Sequence, residues 1–297
     1  MISFILIMLV SFFFTGIVVR TKSIAQGRKG PCIMQPMYDI IKLLRKGSVF
    51  SRTSSYIFQI GPSIYFASVL VAMAVVPVIG GKGLISFGGD FVFFAYVLAV
   101  GKFFNIICAM DTGSSFEGMG AAREALFSML VEPAFFILMG TLGLLSDCTS
   151  FADIFEQLHY GTYSSYAFGA IASFVLLMIC MIENSRMPVD DPKTHLELTM
   201  IHEVMVLDNS GFDMGLIMHA TNMKFAIYSS LIAGLFLGEM AWYLAVPTFF
   251  CIQFLCAVAV GLTESFMARY RMSHNAQFIL VLSSLALLVF FVAKGLI

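Results

Sequence analysis

Eight apolar runs, each long enough to cross a bilayer, leave this chain few folds to choose from. They occupy about residues 1–19, 57–79, 91–110, 125–145, 166–182, 215–237, 244–267 and 278–296. A span needs about 20 mostly apolar residues, because an α-helix rises ~1.5 Å per residue across ~30 Å of hydrocarbon. Inside hydrocarbon every backbone N–H and C=O needs an internal partner, which admits only helices or a closed barrel. No ten-residue alternation of hydrophobicity repeats, so the barrel is excluded. The expected fold class is an all-α integral membrane protein, one membrane domain over 1–297. About eight transmembrane helices are accompanied by cytoplasmic amphipathic helices. The first part of the sixth run, 211–224, is polar enough to lie partly outside the bilayer or within protein.

Composition narrows the function classes. Only 12% of the 297 residues are charged and 59% are hydrophobic, whereas a soluble domain carries about 25% charged residues. A soluble enzyme is excluded. Seventeen basic against 18 acidic residues leave a net charge of −1, with no general basic field for nucleic acid. The six cysteines never form a C-x-x-C or four-ligand pattern, so no metal or iron–sulfur site is expected in this chain. The first run lacks a basic segment before it and a small-residue cleavage site after it. Arg20 and Lys22 follow instead, as for a retained span rather than a signal peptide.

The basic residues give an orientation. Arg20, Lys22, Arg28, Lys29, Lys42, Arg45, Lys46, Arg52, Arg123, Arg186, Lys193, Arg269 and Arg271 fall in alternate loops, and only Lys82 and Lys294 fall on the other side. The positive-inside rule then places loops 20–56, 111–124 and 183–214 in the cytoplasm and both termini outside. Within the first loop, 35–46 puts Met37, Ile40, Ile41 and Leu44 on one helical face, as in a helix lying on the membrane surface. Residues 183–209 begin as a Pro-punctuated loop and read as a helix from Pro192.

Charges inside the spans need a reason, since each costs at least ~2.5–3.5 kcal/mol at the helix centre. Lys102 and Glu132 are expected about 10–12 Å inside the membrane on antiparallel neighbours. Equal depth puts an ion pair or a shared polar cavity within reach; the bland alternative is a structural pair pinning two helices. Glu124, Glu183, Glu264, Asn105 and Lys224 gather toward the same side. Singly, charges at span ends are usually just solvated. Together they outline a polar half-channel opening inward, where desolvation and a nearby lysine pull a carboxylate's proton affinity in opposite directions. His195, Thr199 and His202, followed by Glu203, share one helical face. Their spacing is not that of a zinc site, and a polar docking face for a partner is the plainer reading. No P-loop, dinucleotide-binding or nucleophile-elbow motif occurs, so no complete active site is expected.

Three blocks carry a family resemblance. GRKGPCIMQPMYDIIKLLRK (27–46), GSSFEGMGAAREALFSMLVEP (113–133) and the E-x-N-R-x-P-x-D…E-L-like loop at 183–203 resemble the membrane subunit joining the two arms of respiratory complex I. They are also similar to its relatives in membrane-bound group 4 nickel–iron hydrogenases. Pro31 is followed by only Cys32, Ile33 and Met34 before Gln35, and Arg20 stands where complex I versions carry an acid. The stretches 187–203 and 205–211 look like the hydrogenase branch, which includes formate hydrogenlyase subunit 4 and the energy-converting hydrogenases. A quinone pocket is therefore not carried over.

The resemblance implies an anchoring and coupling subunit of a multi-pass complex in the prokaryotic cytoplasmic (inner) membrane. Partners would be the peripheral hydrogenase large and small subunits, iron–sulfur subunits and antiporter-like membrane subunits, with the lipid bilayer around them. The nickel–iron centre and the iron–sulfur clusters would belong to the partners. By matching position, Glu132 would be central to an ion path, with Arg123 beside it and Glu183, Arg186, Asp190, Asp191, Glu197 and Glu203 at its cytoplasmic entrance. Lys102, Glu124, Lys224 and Glu264 join that path from the residue reading. Arg28, Lys29, Gln35, Asp39, Arg186, Asp190, Asp191, His195, His202 and Asp208 would meet the peripheral arm. Two other readings stay open: a quinone-site subunit of complex I, and a free-standing secondary transporter built around Lys102, Glu132 and Lys224.

Overall fold

The computed structural model describes residues 2–79, 81–158, 163–191, 200–238 and 241–296, with backbone alone for 163–167 and 296. Among the described residues every regular element is helical. In chain order these are α1 (Ile2–Ala25), α2 (Gln35–Leu44), α3 (Tyr56–Val75), α4 (Asp90–Asp111), α5 (Ser115–Ser146) and α6 (Phe151–Gln157). There follow α7 (Tyr163–Glu183), α8 (His202–Met205), α9 (Gly211–Leu237), α10 (Trp242–Phe266) and α11 (Met272–Leu296). Seven of them, α1, α3, α4, α5, α9, α10 and α11, are long and apolar enough to cross a membrane. The fifth of the eight expected spans corresponds to α7, whose described apolar stretch, Phe168–Glu183, is shorter.

The centre of the bundle is α9, which packs on α1, α2, α3, α7 and α10. Of its most apolar window 89% is buried, against 28–50% for the other six. A helix surrounded by protein rather than lipid can carry polar groups, provided neighbouring helices supply partners. Asp213, His219, Asn222 and Lys224 all point inward here. The polar first part of the sixth span therefore lies within protein. Around it the outer helices turn Phe103, Met129, Phe254 and Phe291 outward.

Lipid tails are as apolar as leucine, so helices in a bilayer gain from close contact rather than from escaping solvent. Small residues make that contact. On the α3–α4 seam Gly61 faces Cys108 and Gly101 faces Ser68, with no room for a Cβ; on α1–α10, Gly261 lies under Val18 and Thr21. Gly16 touches the Ile33 carbonyl and draws the α1–α2 connection back across α1. Pro36 stands in the first turn of α2, where its missing N–H costs nothing. Ile40 is fully buried and Leu43 and Leu44 cover Gly215 of α9, while Lys42, Arg45 and Lys46 stay outside. This is the amphipathic helix that 35–46 predicts.

The C-terminal ends of α1, α4, α7 and α10 meet the N-terminal ends of α3, α5, α9 and α11, through contacts such as Lys22–Glu264, Ser55–Asp111 and Asn275–Val189. Most of the basic residues are here, and we call this the basic end. The helix expected from Pro192 falls largely on 192–199, outside the described residues; of its remainder only α8 is helical.

Candidate functional site

Four buried charges from four helices form one network near the basic end. The Lys102 ammonium of α4 donates to Glu183 Oε1 at 2.9 Å and to Ser128 Oγ at 2.5 Å, and lies 3.2 Å from Glu124 Oε1. Lys224 of α9 donates to Glu183 Oε2 at 3.3 Å and to the Glu183 carbonyl at 2.8 Å. Both carboxylate oxygens of Glu183 are thus taken, each by a different lysine. Two acids and two lysines make the network neutral, as burial in a low-dielectric interior requires.

Local backbone chemistry aims these groups. At the end of α7, Ser185 adopts φ 49°, the Ser185 N–H donates to Ile182 and the Arg186 N–H to Met181. This is a Schellman-type helix stop in which a serine takes the left-handed position that usually falls to glycine. The turn sends three nearby functional groups three ways. Glu183 goes to the two lysines, the Ser185 hydroxyl donates to Glu124 Oε2 at 3.1 Å, and Arg186 reaches Glu264 Oε1 at 3.3 Å. Glu264 of α10 also holds Lys22 of α1 at 3.3 Å. One turn joins two buried ion-pair groups.

Beyond the turn the loop is pinned to the rest of the basic end. Asp190, 1% exposed, pairs with Arg269 at 2.9 Å and accepts the N–H groups of Asp191, Ile201 and His202. Burial pushes its carboxyl up, against the pull of Arg269 and of those donors. Asn275 of α11 donates to the Val189 carbonyl, and Arg123 of α5 donates to the Met200 carbonyl. His202 is half-buried, and burial pushes its imidazole down to about 4 from 6.5 despite nearby Glu124.

Glu132 is placed differently. It is exposed on the outer side of α5, where Pro133 next to it removes one helix N–H. It forms no salt bridge with Lys102; that lysine is committed to Glu124 and Glu183. The two do share a cavity of ≈ 30 Å³, lined by Lys102, Glu132, Glu183, Tyr228 and apolar side chains including Leu98 and Phe135. That volume holds one water, and the four polar groups suit it. The shared cavity, not the direct pair, joins the two residues.

The remaining site residues divide by position. Arg28, Lys29 and Asp208 are exposed, while Asp191 and Glu203 are half-buried. Gln35 donates to Asp39 one turn on, at 2.9 Å. Asp190 is turned inward instead of toward a partner. His195 and Glu197 lie outside the described residues. Among the described residues no group of three or more His, Cys, Asp or Glu could hold a metal ion.

Residues 1–294 match the family model described as NADH dehydrogenase. This chain belongs to the NADH dehydrogenase family. Among its relatives in Escherichia coli K12, hydrogenase-4 component C is 30% identical over 224 residues, 75% of this chain and 70% of the relative. Formate hydrogenlyase subunit 4 is 25% identical over 266 residues, 87% and 86% of the two chains. A solved structure of the membrane-bound sulfane sulfur reductase, an archaeal respiratory membrane complex, contains a chain with the same fold. Its TM-score is 0.82 at 18% identity, over 98% of this chain and 96% of that one. The names of those relatives mark them as a component and a subunit of larger enzymes, and this NADH dehydrogenase family member has the helices of a multi-pass membrane protein.

In this family member several functional groups escape a reading by charge alone. Ser128 and Ser185 complete the coordination of Lys102 and Glu124, yet nothing in the sequence sets these serines apart from others. Lys22 and Arg269 count toward orientation but are also ion-pair partners. Glu117, in the first turn of α5, is 1% exposed and accepts the Asp208 N–H at 3.0 Å. Its spacing from Glu124 and Ser128, i to i+7 and i+11, is a signal the sequence does carry.

Proposed function

We propose that this protein is a non-catalytic membrane subunit of a group 4 nickel–iron hydrogenase or hydrogenlyase complex in the prokaryotic cytoplasmic membrane. The basic end faces the cytoplasm, with both termini outside, and anchors a peripheral redox arm. The nickel–iron centre and iron–sulfur clusters belong to that arm's large, small and iron–sulfur subunits. Antiporter-like membrane subunits pack alongside, and the chain couples electron transfer to translocation of H⁺ or Na⁺. No quinone role is assigned. Identity to hydrogenase-4 component C and formate hydrogenlyase subunit 4 supports the type of complex.

The observation that carries the coupling role is the water-sized cavity joining Glu132 to Lys102 and Glu183. An added charge in the peripheral arm changes the field at the 183–209 loop, and through the α7 turn it acts on Glu183, Ser185 and Arg186 together. A proton arriving on Glu124 removes one negative charge, and Lys102 then keeps Glu183 as its single strong partner. That exchange is a two-state electrostatic element of the kind a charge change can bias. A carboxylate facing lipid is costly. The outer side of Glu132, above a groove lined by Tyr96, Val100, Phe103 and Met129, therefore suits a neighbouring membrane subunit.

Replacing Glu132 with Gln is the test. The complex should assemble, because Glu132 holds no helix partner, while ion translocation per electron transferred falls several-fold. Undiminished ion coupling in the assembled Glu132→Gln complex overturns this role.

A further inference from the structure

One corner of the basic end is short of hydrogen-bond donors. Glu117 Oε2, Asn209 Oδ1 and Asp213 Oδ2 are all buried without a partner. Their residues are 1%, 8% and 5% exposed. The three belong to one neighbourhood: Glu117 Oε1 accepts the N–H of Asp208, next to Asn209, and Asp213 follows in the first turn of α9. Glu117, Asp213 and Asp111 all bear on the Cys108 thiol at the end of α4. The groups that bear directly on Glu117 are Thr112 just past α4 and Asp208 in the α8–α9 turn, beside Asn209, with Asp213 of α9 near the same Cys108. The Thr112 hydroxyl, within hydrogen-bond reach of Glu117, has a single proton and also meets the Ala109 carbonyl at 2.9 Å. Among the described residues no lysine or arginine pairs with either buried acid.

A buried carboxylate with an orphaned oxygen, no cationic partner and an acid beside it is costly if it stays charged. One proton removes that charge and also turns an orphan acceptor into a donor, in a corner that holds mostly acceptors. We propose that Glu117 is a proton-holding site, carrying its proton on Oε2, at the mouth of the path that leads to Glu124 and Lys102. The reading rests on the coupling function above. Glu117, Glu124 and Ser128 lie on one face of α5, and the first two are about 10 Å apart along the axis. Between them Gly120 packs under Ile201, Val204 and Met205, so α8 covers this face. The step is a proton exchange alone. The Glu117 O–H bond breaks, its electron pair stays on Oε2 as the carboxylate re-forms, and the proton passes by way of water to a carboxylate oxygen of Glu124; a proton from water at the basic end reloads Glu117.

Infrared difference spectroscopy on the intact purified complex tests the assignment. At neutral pH a carboxylic C=O band should be present, be absent in Glu117→Gln, and persist in Glu132→Gln. Gln keeps an oxygen for the Asp208 N–H. Asp208→Asn, which removes a neighbouring negative charge and keeps the backbone N–H, should shift loss of the band to lower pH, and it reads the site if Glu117→Gln fails to assemble. Ion translocation should fall several-fold in Glu117→Gln. A band that survives in Glu117→Gln, or a titration unmoved by Asp208→Asn, overturns the proposal. So does a band abolished by added NaCl at fixed pH, which makes the corner a sodium site. If the band behaves as expected but Glu132→Gln leaves coupling intact, the coupling reading fails and the protonated Glu117 stands.

Discussion

Lys102 and Glu183 stand 81 residues apart in the chain and meet at 2.9 Å inside the bundle. Each also holds a second partner, Glu124 for the lysine and Lys224 for the carboxylate. The pair is therefore the middle of a chain of charges crossing α5, α4, α7 and α9, and breaking it unsettles both ends.

Replacing Lys102 with Met should be severe. Glu124 loses its ion-pair partner, and Glu183 keeps only Lys224. Breaking a buried pair from one side costs about 3–5 kcal/mol, because a charge is left uncompensated. Thermal unfolding of the detergent-purified subunit should show a large loss, which Lys102→Met combined with Glu124→Gln partly reverses. Equal instability of the single and double variants would show that packing at Lys102, not charge, is what matters.

Asp190 holds the loop in place, so its replacement should loosen the loop before it harms the helices. Asp190→Ala removes three backbone acceptor contacts and one ion-pair partner of Arg269. Hydrogen exchange over 186–191 and 200–209 should rise, with α3 and α4 unchanged. Asp190→Asn should lie in between, since it keeps an acceptor oxygen and loses the ion pair.

Acid should weaken the same region through His202. The folded state holds its imidazole down to about 4, below the ordinary 6.5. Between those values the unfolded chain binds more protons than the folded one, so stability rises with pH there. As pH falls from about 6.5 toward 4 that contribution is lost progressively, and below 4 it changes no further. His202→Gln should flatten this part of the stability–pH curve relative to the parent protein. Identical slopes for the two proteins would contradict an imidazole held neutral in the folded state.

Gly16→Ala should damage the junction of α1 and α2. A Cβ there would drive into the Ile33 carbonyl, and backbone cannot yield as a side-chain end can. Overpacking of this kind costs about 1–3 kcal/mol, readable as a lowered melting temperature. Gly140, whose added Cβ meets nothing within 4 Å, is the control position and should tolerate Ala.

Much of this arrangement is legible along the chain, and the illegible part has a definite geometric cause. Lys102 and Glu132 match in depth, but depth is an axial coordinate. Glu124 and Glu132 are eight residues apart, which turns them about 80° away from each other on α5. Glu124 consequently faces Lys102 while Glu132 turns outward, and no count of residues from a span end distinguishes them. Asp190 looks like one more loop acid until the chain folds back and brings Arg269 and the Ile201 and His202 amides around it.

What the sequence by itself determines is the helical membrane fold and the cost of its charges. Apolar length, together with the need of each backbone group for a partner in hydrocarbon, permits nothing but helices. Tertiary structure alone decides which charges meet. It makes polar α9 the core and lets the turn at Ser185 share Glu183 and Arg186 between two ion-pair groups. It also leaves Glu132 joined to Lys102 only through room for one water. Partner choice depends on helix rotation and on contacts between distant segments, and neither is encoded in the hydropathy that places the spans.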